Sequence, residues 1–147
     1  MKIRKELIGV GAAFILLLAI LFVVGLESGE TKVDFTTLDE DKIPQSIVTD
    51  VIPEYRDMER ALACIVDKKV YVIVTRGEKP TAGYEIEIDK MILENKGDKA
   101  NLAVCANFAD PGNEKTVAQI ISYPLVVAET SLKGLPDTIE LRIQYVE

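Results

Sequence analysis

Few of the side chains that ordinarily carry chemistry are present in this sequence. Its 147 residues include no His, no Trp and two Cys. Ser-His-Asp and Cys-His catalysis, His-ligated zinc or haem, and imidazole pH sensing are thereby excluded. Two thiols are too few for a four-thiolate zinc or iron–sulfur site within one chain. Ser131 and Lys133 are the residue types of a Ser–Lys hydrolase, but they stand two apart beside Gly134 in a turn-like stretch with no flanking hydrolase motif. Glu85 and Glu87 share one face of a strand-like segment and read as a solvated face rather than an acid–base pair. Asp39-Glu40-Asp41 lacks the spacing of an EF-hand loop with Gly at the sixth place, and acidic residues at a helix start explain it better. The expectation is a non-enzyme with no catalytic residue, no metal and no cofactor.

The cysteines need separate weighing. Cys64 and Cys105 fall on different strand-like runs. A disulfide between them would close a loop of about 40 residues and contribute about 3–4 kcal/mol in the chain-entropy model. Both sit in apolar surroundings, where a free thiol packs as a small hydrophobe, and two buried thiols are the expectation.

The most distinctive stretch is Arg76-Gly77-Glu78-Lys79-Pro80-Thr81-Ala82-Gly83-Tyr84. It separates two strand-like runs and exceeds what a tight hairpin needs. Gly83 before Tyr84 predicts positive φ or a close approach. Tyr84 starts the apolar face continued by Ile86 and Ile88, so its ring is expected to point inward. Arg76, Glu78 and Lys79 are expected to be exposed. Two readings stand: a structural loop anchored by Tyr84, or a rim that touches a partner protein through Arg76, Glu78, Lys79, Thr81 and Tyr84. Loops held on a rigid sheet are where binding residues gather.

The elements that must hold this loop are mostly strands. Val33 to Leu38 alternates and predicts a first strand. Ile43, Ile47, Val48, Val51 and Ile52 share one helical face, Pro44 suits the first turn, and Pro53 is expected to end or kink the helix near Ile52. Residues 54–59 fit a second short helix or a loop. Ala61–Val66, a turn at Asp67-Lys68-Lys69, and Val70–Thr75 follow. The unbroken apolar run of Val70–Val74 suits a central strand covered on both faces, one cover being the helix. Tyr84 to about Leu93, Leu102–Phe108 and Ile139–Tyr145 alternate, with turn chemistry at 95–98, 110–113 and 133–137. Val117–Glu129 holds one long strand or two, interrupted at Pro124. These elements predict a β-rich α+β domain over 33–147. It would be a mostly antiparallel curved sheet or small open barrel, with one covering helix.

Residues 75–88 resemble the PrcB C-terminal domain family. That family shows a Gly, then Lys or Arg with Pro, then Thr-Gly-Gly-Tyr and an alternating strand. Here the tetrad reads Thr81-Ala82-Gly83-Tyr84, with Ala82 in place of the first Gly. Asp110-Pro111-Gly112 and Ile121–Val127, with its Tyr123-Pro124, are also similar, so the resemblance covers about 70–130. The family takes its name from a non-catalytic subunit of a surface protease complex. The resemblance therefore implies an extracytoplasmic bacterial domain and a protein partner, a secreted or surface protease among the candidates. It supplies no catalytic residues.

The start of the chain points to the same compartment. Leu7 to Leu26 contains no charged residue, and its only non-apolar members are Gly9, Gly11 and Gly25. Twenty helical residues rise about 30 Å, the thickness of a bilayer core. The reading is a cytoplasmic stub at 1–6, a transmembrane helix or uncleaved signal anchor at 7–26, a polar linker at 27–32, and the domain beyond. The alternative is secretion after signal cleavage. Lys2, Arg4 and Lys5 before the run keep the N-terminus cytoplasmic under the positive-inside rule. With Glu6 they give residues 1–26 a net +2, which leaves −9 for the remainder of the total −7. Such acidity argues against nucleic acid and against a second, electrostatic contact with anionic lipid. The expected function is a membrane-anchored, single-pass, extracytoplasmic protein-interaction module. The alternative is a small-ligand-binding or sensor domain at the cell surface.

Overall fold

The computed structural model of the protein describes residues 29–113 and 115–147. The expected stub at 1–6, the apolar segment 7–26 and the first two linker residues lie outside them. Among the described residues, no helix is long and apolar enough to cross a membrane.

Among the described residues, eight strands form two four-stranded sheets, not one curved sheet and not a closed barrel. The first sheet has the order β1–β5–β6–β8, from Gly29–Val33, Glu85–Lys96, Lys99–Ala109 and Thr138–Val146. The second has the order β2–β7–β4–β3, from Phe35–Thr37, Leu125–Thr130, Lys69–Arg76 and Glu59–Val66. All pairings are antiparallel except β6 with β8, which is parallel.

Alternation along the strands fills the space between the sheets. Val72, Val74 and Ala128 of the second sheet meet Met91, Leu102, Val104, Ala106 and Phe108 of the first. The other face of the second sheet is covered too: Leu62, Tyr71, Ile73 and Val127 pack with Ile47, and Ile43, Val51, Ile52 and Tyr55 join them. The central strand β4 is therefore buried on both faces, with the helical segment as one cover, as its continuous apolar run predicts.

Three expectations are corrected. The predicted single strand over 33–38 bends at Asp34 and changes sheet, leaving β1 in one and β2 in the other. Residues 29–32, expected as linker from their polarity, belong to β1, an edge strand whose first four residues are exposed. At Pro53, expected to end or kink the helix, the helix is distorted and does not end. It widens to π-helical turns over Ile47–Val51 and continues as α1, Ile52–Tyr55, through Pro53. An α-helical Pro53 ring would clash with the carbonyl four residues back, and one wider turn relieves that clash. In the 117–129 stretch only Leu125–Thr130 is a strand, and the part before Pro124 is irregular apart from one bridge at Ser122.

The cysteines are both free and half-buried. Cys64 lies on the helix-facing side of β3 among the second cluster. Cys105 alternates with the core residues Val104 and Ala106 and so faces outward from the first sheet. The inter-sheet core separates them. Burial pushes the Cys64 thiol above its ordinary pKa.

Candidate functional site

β4 ends at Arg76, and strand parity decides where its side chain goes. Val72 and Val74 point between the sheets, so Arg76, two residues on, points there too. It is only 3% exposed. Its guanidinium reaches the first sheet, where Nη1 donates to the Ala109 carbonyl at 2.8 Å and Nη2 pairs with the Asp110 carboxylate. Three aromatic rings surround it, with Phe108 at 4.8 Å, Tyr84 at 5.1 Å and Tyr145 at 5.9 Å. Tyr145 meets Phe108 edge-on at 6.1 Å. Such cation–π contacts are strongest where water is excluded. Arg76 thus ties the two sheets together at one end of the core. Its expected place on an exposed rim is corrected. Its charge suggested the surface, but the alternation of its own strand places it inside.

The loop beyond Arg76 is sewn to the segment 110–124. Arg76 N–H donates to Pro124 O at 3.1 Å, and Ala82 N–H donates to Ala118 O at 3.0 Å. Lys79 and Ser122 exchange backbone bonds at 2.9 and 3.0 Å. The Ser122 hydroxyl donates to Thr81 O at 2.6 Å. Gly83 has φ +93°, as its place before the strand predicts, and a Cβ there would lie 2.8 Å from Val117 Cγ1 and 3.0 Å from Pro111 Cβ. Only glycine fits that approach.

Of the five expected rim residues, Glu78 is exposed, Lys79, Thr81 and Tyr84 are half-buried, and Arg76 is enclosed. Glu78 accepts a hydrogen bond from the Tyr123 hydroxyl at 2.9 Å, which holds the phenol above its ordinary pKa. Lys79 Nζ stands 5.6 Å from the Tyr84 ring, on which Arg76 also lies. The side chains of Thr81 and Tyr84 serve the loop itself before any partner.

The structure adds residues that sequence reasoning passed over. Arg56, next after α1, lies over the Tyr123 ring at 4.3 Å. Ile120 and Ile121 stand 63% and 60% exposed beside the Ser122 bridge. A strand over this stretch would have buried one of the pair, but no neighbouring strand receives it. Two hollows of about 620 and 720 Å³ flank the same end, with carboxylates from Glu85, Glu87, Asp110 and Glu147 in their linings. The inter-sheet space, by contrast, is occupied by side chains such as Phe108, Met91 and Leu102, each with no exposed surface.

At the other end of the chain's chemistry, Ser131 Oγ accepts the Asp34 N–H at 3.2 Å and fixes the sheet-changing corner. Asp39 pairs with Lys42 across the 3₁₀ turn Glu40–Lys42, which precedes the helix rather than capping it. No cluster of three metal-ligating side chains occurs among the described residues.

Residues 70–131 match the PrcB C-terminal family model. The matched stretch is less than half of the chain, and it runs from β4 to the end of β7. It therefore contains the Arg76 clasp apart from Tyr145, its loop and the segment sewn to it. β1, β2, β3, the helix and β8 lie outside the match, although β3 pairs with β4 and β8 with β6. Searches of curated proteins and of solved structures return no match.

Proposed function

We propose that residues 29–147 form a non-catalytic, extracytoplasmic interaction module, held at the cell membrane by the apolar segment 7–26. In the finer version of this reading it is an accessory subunit of a secreted or surface protease. One observation carries the proposal: the PrcB C-terminal match falls on the loop 77–84 and the segment that braces it. Ile120 and Ile121 support a protein partner, because two adjacent exposed isoleucines on a braced, irregular segment suit an interface core. Glu78 and Lys79 supply polar contacts at its edge. The charge of the ectodomain gives no support to a nucleic-acid partner.

Crosslinking of the full-length protein in its native membrane, followed by mass spectrometry, tests this. The expected result is a stoichiometric protein partner crosslinked to residues 78–84 and 115–123. It should be lost in Ile120→Ser/Ile121→Ser, while thermal melting stays unchanged. A secreted or surface protease as that partner would support the accessory version. A partner retained in the double variant, or no stoichiometric partner at all, would overturn the interface. Retrieval of a soluble product beginning near Leu26 would overturn the anchor.

A further inference from the structure

The two ends of the sandwich present different surfaces. Gly29, the first described residue, pairs with Asn95 near the β5–β6 turn. β8 starts at Thr138 opposite Asn101, and Asp137 and Ala100 exchange hydrogen bonds at 2.9 and 2.7 Å. Lys69, beside the Asp67–Lys68 turn, pairs with Glu129 at 2.9 Å just before the loop 131–137. The chain's entry point, both hairpin turns and the 131–137 loop thus share one end. β4 runs from that end to Arg76, so the Arg76 clasp and Ile120–Ile121 stand at the other.

The entry end carries an apolar hollow of about 410 Å³ lined by Val33, Leu93, Leu132, Leu135 and Pro136, with Lys32 and Lys133 at its edge. Leu135 is 53% exposed. Lys68, Lys96, Lys99 and Lys133 are exposed on the surrounding turns and loop. Glu30, Asp67 and Asp98 oppose them, while the Asp137 carboxylate is held by the Ala100 N–H and Glu129 is paired with Lys69. At the far end Glu78, Glu85, Glu87, Asp110 and Glu147 are exposed against the exposed Lys115 and Arg56, whereas Arg76 is enclosed and Lys79 half-buried. The domain's acidity is concentrated away from the entry end.

We propose that the entry end rests on phospholipid headgroups, with Leu135 and Pro136 at the acyl boundary and Lys96, Lys99 and Lys133 on lipid phosphates. This rests on the membrane reading of segment 7–26. Only Glu27 and Ser28 separate Leu26 from Gly29, and three fully extended peptide steps span at most about 11 Å. The entry end is then held within about one Debye length of the headgroups. There apolar contact and lysine attraction act together. An anionic leaflet repels the acidic far end, which orients the clasp and its loop away from the bilayer. The overall charge of −9 argues against lipid contact for the domain as a whole, but the local distribution reverses that argument for this end.

The test uses the full-length chain reconstituted into vesicles of phosphatidylcholine alone or mixed with phosphatidylglycerol, read by hydrogen–deuterium exchange. Exchange at 95–99 and 131–137 should slow in the mixed vesicles and not at 78–84 or 118–123. The slowing should be lost in Lys96→Glu/Lys99→Glu/Lys133→Glu and weakened in Leu135→Glu, with unchanged protection of β4 and β6 showing that both variants fold. Equal exchange in the two lipids, or protection at the far end instead, would overturn the proposal. A second copy or a protein at this end would give protection independent of lipid composition, which also overturns it. Carbonate extraction of the protein from vesicles, with lysine-dependent protection intact, would overturn the anchor reading alone.

Discussion

Arg76 and Arg142 solve the same problem in opposite regions. Arg76 crosses from the second sheet into the first, enclosed by Phe108, Tyr84 and Tyr145, with one carboxylate at its outer edge. Arg142 stays on the outer face of the first sheet, 2.9 Å from Glu94 and 3.0 Å from Glu140. Asn101 donates a further bond to Glu94 at 3.1 Å. The inner arginine contributes through volume and a desolvated carbonyl bond, and its removal leaves a gap. The outer arginine is half-exposed and contributes through charge, pairing with a Glu94 that is only 8% exposed and an exposed Glu140. Identical side chains thus become an inner tie between sheets and an outer clamp on one carboxylate according to strand parity.

Four variants test how far that contrast holds. Arg76→Ala should lower stability in urea unfolding by about 3–4 kcal/mol, from the cavity and the unmatched Ala109 carbonyl. Arg76→Met fills much of the same space and should recover about half of that loss. Equal losses in the two variants would assign the effect to the guanidinium contacts alone. Gly83→Val should cost about 2–3 kcal/mol, because the loop that closes over the clasp must hold positive φ against Pro111 and Val117. A melting temperature equal to the parent's would show that the loop moves freely and does not brace Arg76. Arg142→Leu should cost less than Arg76→Ala at neutral pH, because the largely buried Glu94 carboxylate keeps its Asn101 bond.

The pH dependence of the Arg142→Leu variant has a definite sign. Bonds from Arg142 and then Asn101 hold the Glu94 carboxyl below its ordinary pKa, and Arg142 does the same for Glu140. A depressed carboxylate stabilises the fold above its unfolded pKa of about 4.3, and this contribution is lost as pH falls through the folded value. Urea midpoints of parent and Arg142→Leu should therefore converge as pH drops below about 4. A constant gap would show that Arg142 acts by packing, like Arg76.

Much of this architecture was legible in the residues, and the failures have physical causes. The Val70–Val74 run announces a strand covered on both sides, and Gly83 announces its own backbone. The Asp67–Lys68 turn forms as expected, with φ of +49° and +66° at its two residues. Arg76 was misplaced because residue type was weighed above the alternation of Val72 and Val74. β1 was missed because an edge strand exposed over Gly29–Lys32 carries no hydrophobic alternation. The split into two sheets was hidden because periodicity marks which face is buried, not which strand is the neighbour. The parallel β6–β8 pair joins strands separated by β7 and the 110–124 segment. Ile120 and Ile121 looked like strand core because β-branched residues read alike in a sheet and on an exposed brace.

The corner at Asp34 also determines how the molecule bears load. A pull entering at Gly29 runs lengthwise along β1, whose bonds to β5 lie across the direction of force and are strained together rather than one after another. At Asp34 the tension passes from one sheet to the other through a junction stapled on both sides, by the Ser131 N–H to the Asp34 carbonyl at 2.9 Å and by the Asp34 N–H to the Ser131 hydroxyl. Tugged from its entry end against a hold at the far end, the domain shares the strain between its two layers instead of peeling from a single edge.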